Sequence, residues 1–328
     1  MTITPQTVPL PEWASHQAMW IGFPSHADLW EDDLAPARAE VAAFAAALHA
    51  DGAGEAIWLV AADAASADAA RQMCPFATII IEPFGDIWLR DTGPIIIGTG
   101  ADRRAQGFGF NGWGGKYELP GDDSIGERLA VAAGFPYAKA DWILEGGAID
   151  GDGSGTFLTT EQCLLNPNRN PGFSRFDIEK KLAEGLGTTS VVWLGDGLLN
   201  DHTDGHVDNL ARFVGPGRVA VPEAVEDDPN AAVYADAAEA LLDADLQVVA
   251  LPSPGAIERD GNIVPASHMN FVIGNATVVV PSYDAHTVTP LVEALQDIFP
   301  DRRIVALPAD HLLTGGGSFH CISQQVPK

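Results

Sequence analysis

Hydrophobic residues recur at helical spacing in the alanine-rich stretch 35–50, where Val41, Phe44, Ala45 and Leu48 fall on one face of a helix. This periodicity predicts an amphipathic helix. Five further helices are predicted over 64–73, 124–133, 174–184, 230–242 and 288–298.

Short β-rich segments lie between the predicted helices. They are 56–60, 78–81, 94–97, 191–194, 219–221, 247–251, 277–280 and 304–307. One helix is followed by two or three short strands several times over, so a doubly wound sheet or a TIM barrel, which alternate single strands with single helices, fits poorly. The pattern favours a radial arrangement of small α/β units around a central site. Five units would contain about 66 residues each, although no sequence repeat defines that number.

Composition and net charge limit the kinds of molecule that this protein is expected to bind. Hydrophobic residues make up 46% and charged residues 19% of the 328 residues, which is typical of a folded globular chain. Asp and Glu number 45 against 18 Lys and Arg, for a net charge of −27. This charge argues against binding to nucleic acid or to an anionic membrane surface, because both would be repelled. A small cationic substrate is compatible with it.

The cysteines and the chain's apolar stretches indicate the cellular compartment. The three cysteines, Cys74, Cys163 and Cys321, show neither a disulfide framework nor zinc-site spacing. The first residues lack the basic and apolar regions of a signal peptide. The longest uncharged stretch, 261–283, is interrupted by prolines, a histidine and asparagines, and does not resemble a membrane span. We therefore expect a cytoplasmic protein. The sequence allows a homodimer but does not define the oligomeric state.

Five segments combine glycine with ionisable or aromatic residues, as the loops of functional sites often do. They are 85–94 (GDIWLRDTGP), 110–117 (FNGWGGKY), 144–153 (LEGGAIDGDG), 200–208 (NDHTDGHVD) and 313–325 (LTGGGSFHCISQQ).

Cys321 stands in the last of these segments, after three glycines and next to His320. Most cysteines are small buried apolar side chains. The glycine run would allow the backbone to approach a ligand closely, and the segment is polar for a core strand. Cys74 and Cys163 lack such surroundings, and we interpret both as structural.

Four ionisable residues alternate along 202–208, namely His202, Asp204, His206 and Asp208. In an extended segment all four would project from one face. Three interpretations remain open: a hydrogen-bonded turn, a metal site, or a histidine acid/base flanked by carboxylates that bind a cation.

Asp91 and Trp88 would share a face in an extended segment. A carboxylate beside an aromatic plane suits a guanidinium, which forms bidentate hydrogen bonds and stacks on rings. Glu145 is either a turn carboxylate or a partner that orients an imidazole. With Cys321, these residues would support attack by a thiolate on an electrophilic carbon, proton transfer by histidine and binding of a cation by carboxylates.

The motifs taken together resemble the agmatine deiminases, a group within the bacterial peptidyl-arginine deiminase-like family of guanidine-modifying enzymes. In chain order they are Pro11-Glu12-Trp13 with His16 and Trp20, WLRDTGP, FNGWGGKY, LEGGAID, LLNPNRNPGFSR, DGHVDN and GGGSFHCISQQ. The resemblance implies an α/β fold, a five-bladed pseudo-symmetric propeller (the pentein fold), formed as a single deiminase domain over 1–328. It also implies catalysis without a metal or an organic cofactor.

The resemblance further implies a role for individual residues. Cys321 corresponds to the nucleophile, His206 to the general acid/base, Asp91 and Asp208 to the carboxylates that bind the guanidinium, and Glu145 to the carboxylate that pairs with the histidine. A separate group would line the substrate pocket: Trp88, Asn111 and Trp113.

One position departs from the family pattern. The residue four before the catalytic histidine is usually acidic and meets the distal amine of agmatine, but here it is His202. Asp201 and Asp204 flank it and could supply the charge. Agmatine remains the expected substrate, with arginine or peptidyl-arginine as alternatives and transfer of the amidino group to an amine as a variant reaction. A metal-dependent hydrolase using His202, Asp204, His206 and Asp208 is the alternative from another class.

Overall fold

Five small sheets organise the chain, and apart from one strand of the first sheet each is built from strands that are close in sequence. The computed structural model describes residues 8–225, 227–259, 261–283 and 285–328. The first sheet has the spatial order Ser323–Pro327, His16–Gly22, Ala56–Ala61, Thr78–Ile81. The second is Ile95–Ile97, Arg104–Gly109, Tyr137–Ile143 and the third is Ile149–Gly151, Thr156–Thr159, Ser190–Trp193. The fourth is Arg212–Gly215, Arg218–Glu223, Gln247–Pro252 and the fifth is Val272–Ile273, Thr277–Ser282, Arg303–Pro308.

Long helices connect the parallel strands of these sheets, and shorter helices lie in the remaining segments. The longer ones are Leu34–His49, Ala64–Met73, Ile125–Ala132, Arg175–Leu186, Ala231–Asp243 and Ala285–Ile298. The shorter ones are Ala27–Trp30, Leu89–Thr92, Gly112–Gly115, Glu161–Leu164 and Asp310–Thr314. A two-stranded hairpin, Glu258–Arg259 with Asn262–Ile263, stands apart from the five sheets. All six predicted helices and all eight predicted strands are confirmed, with ends that differ by a few residues.

Each sheet combines one antiparallel pair with a parallel pair, as the fourth sheet illustrates, and the first sheet adds a fourth strand. Arg212–Gly215 and Arg218–Glu223 pair antiparallel across a short turn that contains Gly217 at φ 66°. Arg218–Glu223 then pairs in parallel with Gln247–Pro252, and helix Ala231–Asp243 makes the crossover between them. A parallel pair needs such a crossover, whereas an antiparallel pair needs only a tight turn.

The crossover helices bury one face each. In Arg175–Leu186 the buried residues Ile178, Leu182 and Leu186 recur at four-residue intervals and so form one stripe. Ser174 and Asp177 form a capping box at its start, and Gly187 ends it in the left-handed conformation. Helix Leu34–His49 buries the four residues from which it was predicted.

The two ends of the described chain meet in the first sheet, where Ser323–Pro327 pairs antiparallel with His16–Gly22. Consequently each sheet is linked to the next by one connecting segment. The five inter-sheet connections are 82–94, 144–148, 194–211, 253–271 and 309–322. Within the described residues, none of the helices is both long and apolar enough to cross a membrane.

Candidate active site

All five inter-sheet connections contribute to one cluster of buried side chains. Asp91 comes from the first connection and accepts a hydrogen bond from the Gly147 amide of the second, with N to Oδ1 at 2.9 Å. His206 of the third connection places Nδ1 3.7 Å from the same Asp91 oxygen. The fourth and fifth connections meet where Asn270 Nδ2 donates to Cys321 Sγ at 3.1 Å.

Asn270 anchors the cysteine. Its Oδ1 accepts hydrogen bonds from the backbone amides of His320, at 2.9 Å, and Cys321, at 3.2 Å. The thiol of Cys321 lies 3.8 Å from Asp208 Oδ2 and is only 5% exposed. Burial, followed by the charges of Asp208 and Asp91, raises the pKa of Cys321 well above its ordinary value. The thiol form of Cys321 is therefore favoured, and a cation placed beside it would favour the thiolate.

His206 is fully buried, and neither ring nitrogen has a hydrogen-bond partner among the described residues. Burial alone would lower its pKa, but the nearby Asp91, Cys163 and Glu145 outweigh burial and raise the pKa well above the ordinary histidine value. The imidazolium form is thus favoured, and it can donate a proton.

The two aspartates of the cluster differ in their electrostatics. Burial raises the pKa of Asp91, although His206 and a hydrogen bond from Trp113 Nε1 to Oδ2, at 2.9 Å, favour the charged form. Burial also opposes the charge on Asp208, but His320, His206 and Arg212 together lower the pKa of Asp208. Asp208 Oδ1 has no hydrogen-bond partner in the part of the chain that the structure describes. The site therefore holds a carboxylate whose Oδ1 has no partner among the described residues and whose Oδ2 lies 3.8 Å from Cys321 Sγ.

The segment 202–208 is a turn followed by a 3-10 helix, Val207–Asn209, and not a strand. Asp204 and Gly205 have φ of 62° and 86°, which breaks the alternation of side chains that an extended segment would have. His206 and Asp208 join the buried cluster, while His202 is exposed. The four side chains do not converge into the metal site considered from spacing.

Asp204 belongs to a separate network. It accepts hydrogen bonds from Arg169 Nη1, from Asn168 Nδ2 at 2.9 Å and from Lys116 Nζ at 2.5 Å. Although partial burial opposes its charge, these donors lower the pKa of Asp204. Asp204 does not line the cavity beside Cys321, so its contribution to substrate binding is indirect.

Glu145 is fully buried and takes part in the same network through Arg169, whose Nε donates to Oε1 at 2.8 Å. The Cys163 sulfur, the Glu145 carboxylate and a His206 nitrogen lie within 4.8 Å of one another. They are the one trio among the described residues that could hold a metal ion, although Arg169 already compensates the glutamate. Cys163, which the sequence indicated as merely structural, thus lies beside His206.

A cavity of about 370 Å³ opens beside Cys321. Its buried walls are formed by Trp88, Asp91 and Trp113. Trp113 adopts φ 53°, an unfavourable value for a bulky residue, and this conformation accompanies its hydrogen bond to Asp91. The exposed residues at the mouth of the cavity are two acidic residues, a tyrosine and a histidine: Glu31, Asp32, Tyr117 and His202.

Asn111 does not line this cavity. Its Oδ1 accepts from the Gly114 amide at 3.0 Å, and its Nδ2 donates to the Asn168 carbonyl at 2.8 Å. Asn111 therefore shapes the loop that carries Trp113 and does not contact the space a substrate would fill.

Asp86 is a cavity residue that the sequence did not single out. Its carboxylate accepts from Trp88 Nε1 at 2.7 Å and from Trp30 Nε1 at 3.1 Å, so it holds two indoles in the cavity wall. Burial raises the pKa of Asp86 to about 6. The sequence signal for Asp86 is its position two residues before Trp88, inside the glycine- and tryptophan-containing segment 85–94.

The family model for Porphyromonas-type peptidyl-arginine deiminases matches residues 8–327. The chain belongs to this family. A family relative from Vibrio parahaemolyticus, provisionally named an agmatine deiminase, is 36% identical over 342 residues and is matched over 94% of this chain and 93% of its own. A Pectobacterium atrosepticum relative with the same provisional name is 37% identical, with 96% and 93% covered.

Solved structures of this deiminase family share the α/β fold. The agmatine deiminase of Enterococcus faecalis superposes with a TM-score of 0.91 at 31% identity, covering 98% of this chain and 96% of that one. A cysteine-to-serine variant of C. jejuni agmatine deiminase, solved with substrate bound, also gives 0.91, at 28% identity and the same coverage.

Proposed function

We propose that this protein is an agmatine deiminase, which hydrolyses agmatine to N-carbamoylputrescine and ammonia. The observation that carries the proposal is Cys321 at the wall of a cavity, with Asp91, Asp208 and His206 clustered around it. Relatives and solved structures that bear the name agmatine deiminase across nearly the whole chain support the same substrate.

The first half of the reaction releases ammonia. Asp91 and Asp208 accept hydrogen bonds from the guanidinium and place its carbon beside Cys321 Sγ. The incoming cation offsets the negative charges that keep Cys321 protonated, so the thiol releases its proton to solvent water in the cavity and the thiolate adds to the carbon. His206, as the imidazolium, gives its proton to the departing nitrogen, and ammonia leaves.

The second half releases the ureido product. A water molecule attacks the S-alkylthiouronium carbon, and His206, now neutral, takes the proton of that water. The carbon–sulfur bond then breaks, and the leaving thiolate takes the remaining hydroxyl proton, which restores the Cys321 thiol and leaves the neutral ureido group. Glu145 lies within 4.8 Å of His206 and stabilises the imidazolium in both halves. These steps require no metal or organic cofactor.

A panel of guanidines tests the substrate assignment. Ammonia release should be fastest with agmatine, compared with L-arginine, blocked arginine peptides and short guanidino acids. Faster turnover of a peptide or of arginine would overturn the choice of agmatine while leaving the deiminase chemistry intact. Chelator-sensitive activity that resists thiol alkylation would instead favour the metal-dependent hydrolase.

His202→Glu is expected to lower the KM for agmatine about two- to fivefold, since an exposed charge pair contributes only modestly. His202 lies at the exposed mouth with Glu31 and Asp32, where the distal ammonium of agmatine would lie. His202→Gln is the matched neutral control, and steady-state kinetics at neutral pH gives the comparison. Equal KM values for the two variants would place the ammonium elsewhere.

The KM for agmatine is expected to rise as the pH falls through about 6. Burial raises the pKa of Asp86 to about 6, so the carboxylate is charged above this pH and neutral below it. A neutral Asp86 no longer attracts a cation into the cavity. In Asp86→Asn the KM should be high throughout, without this acid limb. If the KM of Asp86→Asn still rose as the pH fell through about 6, the rise would belong to another titrating group.

Gly147→Ala is expected to reduce kcat/KM about 100-fold. A Cβ there would lie 2.6 Å from His206 Nδ1, 2.9 Å from Asp91 Oδ1 and 3.0 Å from Asp208 Oδ2, so the cluster would have to move. Gly215→Ala, where a Cβ meets only Arg218 Cδ at 3.8 Å, is the control. Equal kinetics for the two variants would mean that the cluster tolerates displacement.

We further infer that the five sheets are the blades of a pseudo-symmetric propeller formed by one domain. Three observations support this arrangement: every sheet repeats the same plan, the last strand pairs with the first, and all five inter-sheet connections reach one cluster. The family model also spans 8–327 without a division. The three free cysteines accord with a cytoplasmic location.

A further inference from the structure

His320, the residue before the nucleophile, lies between two carboxylates. Its Nδ1 is 2.7 Å from Asp208 Oδ2, and its Nε2 is 2.9 Å from Glu12 Oε2. The side chain is 1% exposed. Both distances are those of charge-assisted hydrogen bonds.

Both ring nitrogens of His320 face an acceptor. Each lies next to a carboxylate oxygen, which only accepts hydrogen bonds when ionised. A neutral imidazole donates from one nitrogen, whereas the imidazolium donates from both. The geometry thus accommodates an imidazolium that would bridge Asp208 and Glu12.

Glu12 is itself fixed by other groups. Its Oε2 accepts from Arg212 Nη2 at 2.7 Å, and its Oε1 accepts from the Ile273 amide at 2.7 Å. Arg212 also pairs with Asp150, and Arg90 Nη2 lies 3.8 Å from the same Glu12 oxygen. The bridge thus ends in a rigid, compensated network that extends away from the cavity.

We propose that His320, held by Glu12, is a positioning residue that fixes the orientation and charge of Asp208 for guanidinium binding. The proposal rests on the proposed function, because the guanidinium is the ligand that Asp208 would bind. With Oδ2 taken by His320, Oδ1 remains for the substrate.

The same bridge moderates the electrostatics of the nucleophile. Asp208 Oδ2 lies 3.8 Å from Cys321 Sγ, and its charge opposes the thiolate. The His320 cation on that oxygen offsets part of this effect. Loss of the cation should therefore make the thiolate harder to form, besides loosening Asp208.

Two neutral replacements separate the two ends of the bridge. The amide nitrogen of asparagine falls near the position of His Nδ1, so His320→Asn keeps a donor toward Asp208. The longer glutamine places its amide nitrogen near His Nε2, so His320→Gln keeps the contact with Glu12 and loses that with Asp208. We expect kcat/KM for agmatine to fall about 10-fold in His320→Asn and about 100-fold in His320→Gln.

The second readout is independent of substrate identity. Iodoacetamide alkylation of Cys321, located by peptide mapping, is followed as a function of pH. Both neutral variants should need a higher pH for half-maximal alkylation than the parent protein. His268→Gln is the control, since His268 is a buried histidine bound by the Pro281 carbonyl and the Thr287 hydroxyl, and its ring has no hydrogen bond to a carboxylate of the described residues.

Nitrogen-15 NMR of the parent protein provides a test that needs no folded His320 variant. The His320 ring, like that of His206, should carry protons on both nitrogens at the assay pH, and the His320 signals should shift in Asp208→Asn and in Glu12→Gln. The proposal would be overturned if the nitrogen-15 signals showed a neutral His320 ring. It would also be overturned if the pH dependence of Cys321 alkylation were the same in either His320 variant as in the parent protein. Failure of the parent to act on agmatine would refute the proposed function alone, because alkylation and NMR do not use a substrate.

Discussion

Cys321→Ser is expected to reduce ammonia release from agmatine by at least about 1000-fold, because a serine hydroxyl at this position lacks the nucleophilicity of a thiolate. The two side chains are nearly equal in size, and Asn270 can donate to either. Thermal unfolding should therefore be almost unchanged. The measurement is single-turnover and steady-state ammonia release on the purified variant.

Cys74→Ser provides the matched control. Cys74 is also buried, and burial raises the pKa of its thiol to about 11, but it does not line the cavity. This variant should retain kcat, even if its unfolding temperature falls slightly. Substantial ammonia release by Cys321→Ser would remove Cys321 from the role of nucleophile.

Asp208→Asn and Asp91→Asn are each expected to lower kcat/KM by at least about 100-fold, since truncation of a buried charge pair typically costs about 2–5 kcal/mol. Each substitution preserves shape and removes the charge that binds the guanidinium. Asp91→Asn has a second consequence. Asp91 is the largest of the groups that raise the pKa of His206 against burial, so the limb of the pH–rate profile that requires the imidazolium should move to lower pH.

Asp228→Asn is the control for both aspartates. Asp228 is a buried carboxylate that binds the Ser253 hydroxyl and the Asn230 amide, away from the cavity. It should change stability without a comparable loss of kcat/KM. Near-parental kinetics in Asp208→Asn and Asp91→Asn would contradict the assignment of these carboxylates to the guanidinium.

The fold could be predicted from the sequence where hydrophobic residues are continuous. The six predicted helices and the eight predicted strands were recognised because they carry periodic or continuous apolar residues. Other strands carry a different pattern. Arg104–Gly109 contains an arginine and two glycines, and Tyr137–Ile143 has mostly exposed or half-buried side chains, so neither reads as a strand before its partner is known.

The site was predictable in part for a similar reason. Cys321, His206, Asp91 and Asp208 stand in unusual segments, and each lies in the cluster. Asn270 was missed, since its link to Cys321 spans 51 positions of the chain and is created by the meeting of two inter-sheet connections. The bridge from Glu12 to His320 spans 308 positions and depends on the same closure.

The left-handed residues explain the remaining differences. Spacing placed His202, Asp204, His206 and Asp208 on one face, but Asp204 and Gly205 at positive φ turn the chain so that only the last two enter the cluster. The Asn111 side chain accepts a hydrogen bond from the Gly114 amide of its own loop, next to Trp113 at positive φ. Such backbone conformations are selected by tertiary contacts, here by Arg169 and Asn168 on Asp204.

Acid quenching during turnover, followed by mass spectrometry, tests the central claim most directly. With agmatine, the peptide that contains Cys321 should gain the mass of agmatine minus ammonia, and Cys321→Ala should show no such gain. Steady ammonia release without that adduct, or an adduct on Cys163 or Cys74, would contradict covalent catalysis by Cys321.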